Sequence, residues 1–272
     1  SEKDDHVYIE EKIDGCRCIA HVSVMTGNER EVKLLTKGGK EIISQPHLIE
    51  EIKKRTATIK TDIILDGELC SSDNNYINQN IVTGIVMTQK PSDVRLKYII
   101  FDCYLSIDPS MTYKDRRDIV DKITLTDLTI PSSYNQITST SPSKISTYDE
   151  LMEYYKGLKD RYDLDVTNAE LNGDNIPDEV EGIILRRPSG IYSQEHGAPN
   201  IKKYKFVEER EYLCVNVKED DMGYLTLIMA KDPADTSNTF GASIQMNKKD
   251  AAILYEKYQN NEFLPIGSKF TI

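Results

Sequence analysis

Apolar residues fall in short runs, broken at close intervals by Gly, Pro, Asp and Asn. Val7-Tyr8-Ile9-Glu10-Glu11 reads as extended backbone. In Cys18-Ile19-Ala20-His21-Val22-Ser23-Val24, the residues Ala20, Val22 and Val24 share one face at period two. Val32-Lys33-Leu34-Leu35-Thr36, Ile63-Ile64-Leu65, Tyr98-Ile99-Ile100-Phe101-Asp102 and Glu181-Gly182-Ile183-Ile184-Leu185-Arg186-Arg187 predict further strands. Where the spacing changes to three and four, helices are expected. Ser44 is a candidate cap for a helix with Pro46 in its first turn and Leu48, Ile49 and Ile52 as its buried stripe. Residues 113–123 predict a second helix, and Thr147-x-x-Glu150 forms a capping box before a third carrying Leu151, Tyr154, Tyr155 and Leu158. The Ser/Thr-rich stretch to residue 146 predicts a surface connection. Residues 163–179 are acidic but lack the Gly and final Glu of a calcium loop, so an exposed insertion is expected there.

Past Glu209 the texture changes. Residues 212–217, 224–229 and 242–246 predict short strands, 248–258 a helix and 269–272 another strand. That order is most of a five-stranded OB-fold barrel without its closing strand. The expected organisation is therefore α+β: residues 1–208 as a domain of antiparallel sheets with flanking helices, then an OB-fold at 209–272.

Composition narrows the class. No apolar run is long enough to span a membrane, and the N-terminus is acidic and polar rather than a signal peptide. The five cysteines are scattered without C-x-x-C spacing, which argues against a disulfide framework or a zinc site and fits a reducing, intracellular setting. A formal net charge of −11 argues against a nonspecific nucleic-acid coat. It leaves room for an enzyme that gathers its Lys and Arg on one face.

The candidate chemistry begins at Lys12-Ile13-Asp14-Gly15-Cys16-Arg17. A Lys between two strands, followed at once by Asp-Gly, is expected at a tight turn, where a rigid backbone can hold its amine in a pocket as a nucleophile. An exposed hairpin Lys would look the same. Lys37-Gly38-Gly39-Lys40 is either a plain turn or an approach to phosphate. Asp66-Gly67-Glu68-Leu69 reads as a second acidic turn, whose two carboxylates point the same way if the backbone is extended. They suit a divalent cation, a ribose, or simply solvent. Phe101 at a strand end is a core residue or a stacking ring. Glu181 heads a strand, and Lys203 and Lys205 share a face at period two, as a phosphate clamp or a solvated edge.

Lys12-x-Asp14-Gly15, Asp66-Gly67-Glu68-Leu69, Phe101-Asp102, Glu181-Gly182-Ile183 and Lys203-x-Lys205 occur in this order at compatible spacings. Together they resemble the motif series of the covalent nucleotidyltransferases, and most of all a small viral or phage-type ATP-dependent DNA ligase. The ligase-like details are the full Asp-Gly-Glu-Leu, the run from Glu181 to Arg186, and Lys203-x-Lys205 leading into Glu209-x-Glu211. Thr36-Lys37-Gly38-Gly39 resembles the family's Ser-Arg-x-Gly, with Lys37 where Arg is usual, which loses bidentate geometry. Few residues precede Lys12, and the family's last basic motif has no match before Ile272. Either the chain is trimmed or its first step works without that motif.

The resemblance implies an ATP-grasp-like, ligase-type nucleotidyltransferase domain, ATP and Mg²⁺ as cofactors, and a lysyl-AMP adduct on Lys12. AMP would pass to the 5′-phosphate of a nick in double-stranded DNA, and the 3′-OH would then seal it. Lys203 and Lys205 would meet the α-phosphate. Glu181, with Glu68 and Asp66, would hold the metal. Glu68 and Arg17 would touch the ribose, Phe101 would stack on adenine, and Glu10 and Glu11 would reach the base edge. Asp14 and Lys37 complete the nucleotide-binding set. The chain is expected to act as a monomer on DNA phosphates, with no membrane partner. An RNA ligase, a capping guanylyltransferase, and a non-catalytic OB-containing binder of nucleic acid are the alternatives.

Overall fold

The computed structural model describes residues 4–71, 77, 79–125, 136–172, 181–193, 199–205, 211–219, 224–244 and 248–271. The chain divides into two units, Ser1–Phe206 and Val207–Ile272.

In the first unit the strands are β1 (Val7–Glu11), β2 (Cys16–Val24), β3 (Arg30–Thr36), β4 (Ile63–Cys70), β5 (Lys97–Leu105), β6 (Ile137–Ser139), β7 (Ser143–Ile145), β8 (Gly182–Arg186) and β9 (Ile201–Lys205). The helices are α1 (Pro46–Arg55), α2 (Gln79–Met87), α3 (Tyr113–Thr124) and α4 (Tyr148–Asn172). Two sheets result. One has the order β3-β2-β4-β5-β6, antiparallel except for the parallel β5–β6 pair. The other has the order β7-β1-β8-β9 and is antiparallel throughout.

The alternation of β2 builds the larger core. Cys18, Ala20 and Val22 are buried with Leu34, Leu65, Tyr98 and Ile100, and α1, α2 and α3 cover them with Leu48, Ile52, Val82, Val86, Val120 and Ile123. Each fully buried aliphatic side chain here contributes on the order of 2 kcal/mol. The second sheet has its own small core of Ile9, Ile145, Ile183 and Leu158, with Leu151 and Tyr154 of α4 packed on it. The capping box that starts α4 is made as expected. Glu150 N donates to Thr147 Oγ1 at 3.2 Å, and Thr147 N donates to Glu150 Oε2 at 3.1 Å.

Several local expectations are corrected. Gln45, not Ser44, is the cap of α1, and it has no side-chain capping bond because its amide is spent on Val94 O and Leu96 N. Asp66 to Leu69 is not a turn but the continuation of β4, with a bulge between Asp66 and Gly67 in its pairing with β5. The acids are tolerated in a buried strand because Arg17 neutralises Asp66. The stretch before residue 146 contains β6 and β7 rather than a bare connection; residues 126–135 lie outside the described residues. Residues 163–172 extend α4; 173–180 lie outside the described residues.

The second unit holds β10 (Glu211–Glu219), β11 (Leu225–Asp232), β12 (Asp235–Ser243), α5 (Lys248–Gln259) and β13 (Lys269–Thr271). The strands form one antiparallel sheet in the order β12-β11-β10-β13, around Cys214, Leu227 and Met229. β12 begins well before the strand expected at 242–246, of which 245–247 are outside the described residues. Its Asp-Thr-Ser-Asn-Thr start is exposed and polar, so alternation could not mark it. Among the described residues, no helix is long and apolar enough to cross a membrane.

Candidate functional site

Lys12 does not sit in a hairpin. β1 belongs to one sheet and β2 to the other, so residues 12–15 carry the chain from sheet to sheet. Lys12 N donates to Gly182 O at 2.9 Å, which ties this crossing to the head of β8. Gly182 has φ +155°, and a Cβ there would lie 2.0 Å from Tyr204 O. Only Gly lets β9 approach so closely, and that approach brings Lys205 of β9 to Glu181. Gly15 is needed for the same reason, since a Cβ would lie 2.3 Å from Leu69 O.

The first unit contains a cavity of about 490 Å³, a size suited to a small ligand. Both sheets line it. One gives Glu10, Glu11, Ile184, Arg186, Ile201 and Lys203; the other gives Arg17, Asp66, Glu68 and Phe101; Lys12 and Lys37 complete its cationic wall. Asp14, Glu181 and Lys205 are not in the wall. Glu181 binds Lys12 Nζ, and it also accepts from Lys205 Nζ at 2.5 Å. These two lysines hold the Glu181 carboxyl below its usual range, outweighing its partial burial. Asp14 acts on Glu68 and Lys205 through its charge.

Charge in the cavity is arranged asymmetrically. Burial, and then Arg17, Lys12, Arg186 and Lys37, hold the Lys203 amine below its ordinary value. Burial is the largest cause, and the four nearby cations add to it. Burial raises the Glu68 carboxyl from 4.5 to about 7, against the attraction of Lys12 and Arg17 and with the help of Asp66 and Asp14. Asp66 is nearly inaccessible, and both its oxygens are engaged. Arg17 Nε donates to Oδ1 at 2.8 Å, while Arg17 Nη2 and Tyr192 Oη donate to Oδ2 at 2.5 and 2.9 Å. Asp66 thus holds Arg17 in place, and Glu181 is likewise engaged at both oxygens, by Lys12 and Lys205. Among the described residues, no cluster of three His, Cys, Asp or Glu side chains could hold a metal by itself.

Phe101 lines the cavity with the Arg17 guanidinium 5.6 Å and the Arg186 guanidinium 5.2 Å from its ring centroid. Glu11 is half-buried and paired with Arg161 of α4. Tyr192, Asp102, Arg116 and Arg186 escaped the sequence reading as site residues. The available signal was Arg186 at the end of the apolar run Ile183-Ile184-Leu185, a charge that must find a buried partner. The partner is Glu10, 176 positions away.

No curated protein sequence matches the chain. Among solved structures, one titled "Pmar-Lig_PreS3" is 16% identical, covering 98% of this chain and 57% of that one, with a TM-score of 0.66. A structure titled as the ATP-dependent DNA ligase from bacteriophage T7 in complex with ATP is 13% identical, covering 98% of this chain and 86% of that one, with a TM-score of 0.54. The chain spans a little over half the length of the first of these, and at such identities the likeness is one of fold. The family described as "ATP dependent DNA ligase domain" matches residues 1–205. The mixed α+β first unit, with its two sheets around a lysine-lined cavity, thus belongs to the ATP-dependent DNA ligase domain family.

Proposed function

We propose that this chain is an ATP-dependent DNA ligase that seals nicks between a 5′-phosphate and a 3′-OH in double-stranded DNA through a lysyl-AMP adduct on Lys12. The observation that carries the reading is geometric: Lys12, tied to Gly182 O and paired with Glu181, stands at the wall of a cavity of nucleotide size together with Arg17, Lys37 and Lys203.

The side chains fit ATP. Glu10 and Glu11 line the cavity and would reach the edge of the adenine base. Phe101 supplies an aromatic face for the base, and Arg17, held by Asp66, faces the ribose together with Glu68. Lys203 and Lys205, with Lys37, receive the phosphates, and their charge offsets what accumulates on the α-phosphate. The Lys12 ammonium releases its proton to solvent, and the neutral amine attacks the α-phosphorus. The bond from that phosphorus to the bridging oxygen breaks, and pyrophosphate leaves. Before attack the Lys12–Glu181 ion pair opens, because only the neutral amine has a lone pair. AMP then passes to the 5′-phosphate of the nick, and the 3′-OH displaces it.

Glu181 and Glu68 are the carboxylates that would hold Mg²⁺, which keeps most of its waters and binds through one or two carboxylates and substrate phosphates. Its chemistry would be to neutralise phosphate charge. Asp14 keeps Glu68 and Lys205 in one electrostatic group. Residues 1–208 are read as the adenylation domain and 209–272 as the OB-fold, of which the four-stranded sheet and α5 form the larger part. The protein is read as an intracellular monomer.

The test is incubation with α-labelled ATP or GTP and Mg²⁺, then denaturing electrophoresis. Label from ATP that survives denaturation, is lost in Lys12→Ala and chases into sealed nicked DNA is expected. Appreciable label on a folded Lys12→Ala protein would overturn the assignment of Lys12, and label from GTP alone would make the chain a capping enzyme.

A further inference from the structure

Tyr192 lines the cavity but belongs to neither of its sheets. It lies between β8 and β9, in a segment fastened to the N-terminal end of α3. Lys114 N donates to Pro188 O at 3.0 Å, Ile191 pairs with Thr112 in an isolated antiparallel bridge, and Arg116 Nη1 donates to Gly190 O at 2.9 Å. Arg187 N closes the base of the segment by donating to Asn200 O at 3.0 Å. The ring is placed as firmly as the backbone. Its centroid lies 5.6 Å from that of Tyr104 on β5 and 5.7 Å from the Arg116 guanidinium. Arg116 is itself pinned to Asp102 at 2.7 and 3.0 Å. This framework delivers one hydroxyl across the cavity to β4. Tyr192 Oη donates to Asp66 Oδ2 at 2.9 Å, the same oxygen that accepts from Arg17 Nη2.

Asp66 and Arg17 differ in what a ligand can reach. The Asp66 side chain is 2% exposed and the Arg17 side chain 25%. A ligand in the cavity therefore meets the guanidinium and not the acid behind it. The torsion that turns a carboxylate is broad, so a carboxylate and one bidentate partner can rotate together. A third donor from a separate part of the chain removes that freedom. We propose that Tyr192 is a positioning residue for nucleotide binding: its hydroxyl locks the Asp66 carboxylate, which in turn holds the Arg17 guanidinium against the nucleotide. The inference rests on the nucleotide-binding reading above and adds the residue that pre-organises its arginine. Pre-organisation strengthens binding by cutting the cost of ordering the site, so the effect falls on KM more than on the chemical step. A clasp that served stability alone would act independently of Arg17 and leave KM where it was.

The experiment measures self-labelling of the full chain by α-labelled ATP with Mg²⁺ over a range of nucleotide concentrations. The proteins are wild type, Tyr192→Phe, Arg17→Lys and the Arg17→Lys/Tyr192→Phe double variant, with circular dichroism and melting to establish folding. Tyr192→Phe removes one oxygen and keeps the ring against Tyr104 and Arg116. It should fold and raise KM by about tenfold, with kcat changed by less than about threefold. Arg17→Lys keeps a cation for Asp66 but loses the two-pronged grip. In that background Tyr192→Phe should raise KM by less than about twofold further, because no fork is left to orient. An unchanged KM in folded Tyr192→Phe, or the full tenfold penalty on top of Arg17→Lys, would overturn the proposal while leaving the ligase reading standing. So would a Tyr192→Phe protein that does not fold, since the residue would then be a structural clasp. Absence of label from wild type would overturn both.

Discussion

Glu68 gives the sharpest stability test. Burial lifts its carboxyl from 4.5 to about 7, because Lys12 and Arg17 do not fully replace the water it loses. Between these values the folded protein holds a proton that the unfolded chain has released. Stability therefore falls as pH rises through this window, and it is greatest below 4.5 as far as this group is concerned. The full shift corresponds to about 3 kcal/mol. Between pH 5 and 8 about 2.5 kcal/mol of it should be lost. Glu68→Gln cannot ionise and should show none of this slope. Urea unfolding of both proteins at several pH values measures the difference, with the first unit reported by its buried tyrosines. Since the other groups titrate alike in the two proteins, their effect cancels. Parallel pH profiles would refute the argument, and so would a wild type that gains stability relative to Glu68→Gln as pH rises.

Two further substitutions test the frame of the site. Gly182→Ala places a methyl 2.0 Å from Tyr204 O, a backbone atom that cannot swing aside; a loss of about 2 kcal/mol or more in unfolding free energy is expected, together with weaker labelling of Lys12. Asp102→Asn leaves Arg116 and Arg186 facing a neutral amide in a buried site; a loss of about 3–5 kcal/mol is expected by chemical unfolding.

The candidate residues were legible as types and spacings, and their partners were not. Lys12-Ile13-Asp14-Gly15 marked a tight backbone path, but a hairpin and a sheet-to-sheet crossing need the same residues. The choice depends on which strands β1 pairs with, and those are β7 and β8, more than 130 positions along the chain. Asp66 and Glu68 were legible as carboxylates on one face. Only the fold separates them, giving Asp66 to Arg17 and Tyr192 and leaving Glu68 short of hydration. β12 was read late because its polar, exposed start carries no alternation.

By itself the sequence determined the elements whose alternation or capping is local, such as β2 with Ala20 and Val22, and α4 with its Thr147–Glu150 box. It also determined the order of the motifs, the glycines that permit close backbone contact, and the supply of cations for phosphate. The tertiary structure decided where those charges end. Hydrogen bonds and ion pairs act over about 3 Å in space and are indifferent to chain separation. Glu10 and Arg186 therefore become one unit only when β1 and β8 lie side by side, and Asp102 of β5 and Arg116 of α3 join them only when the five-stranded sheet closes the other wall of the cavity.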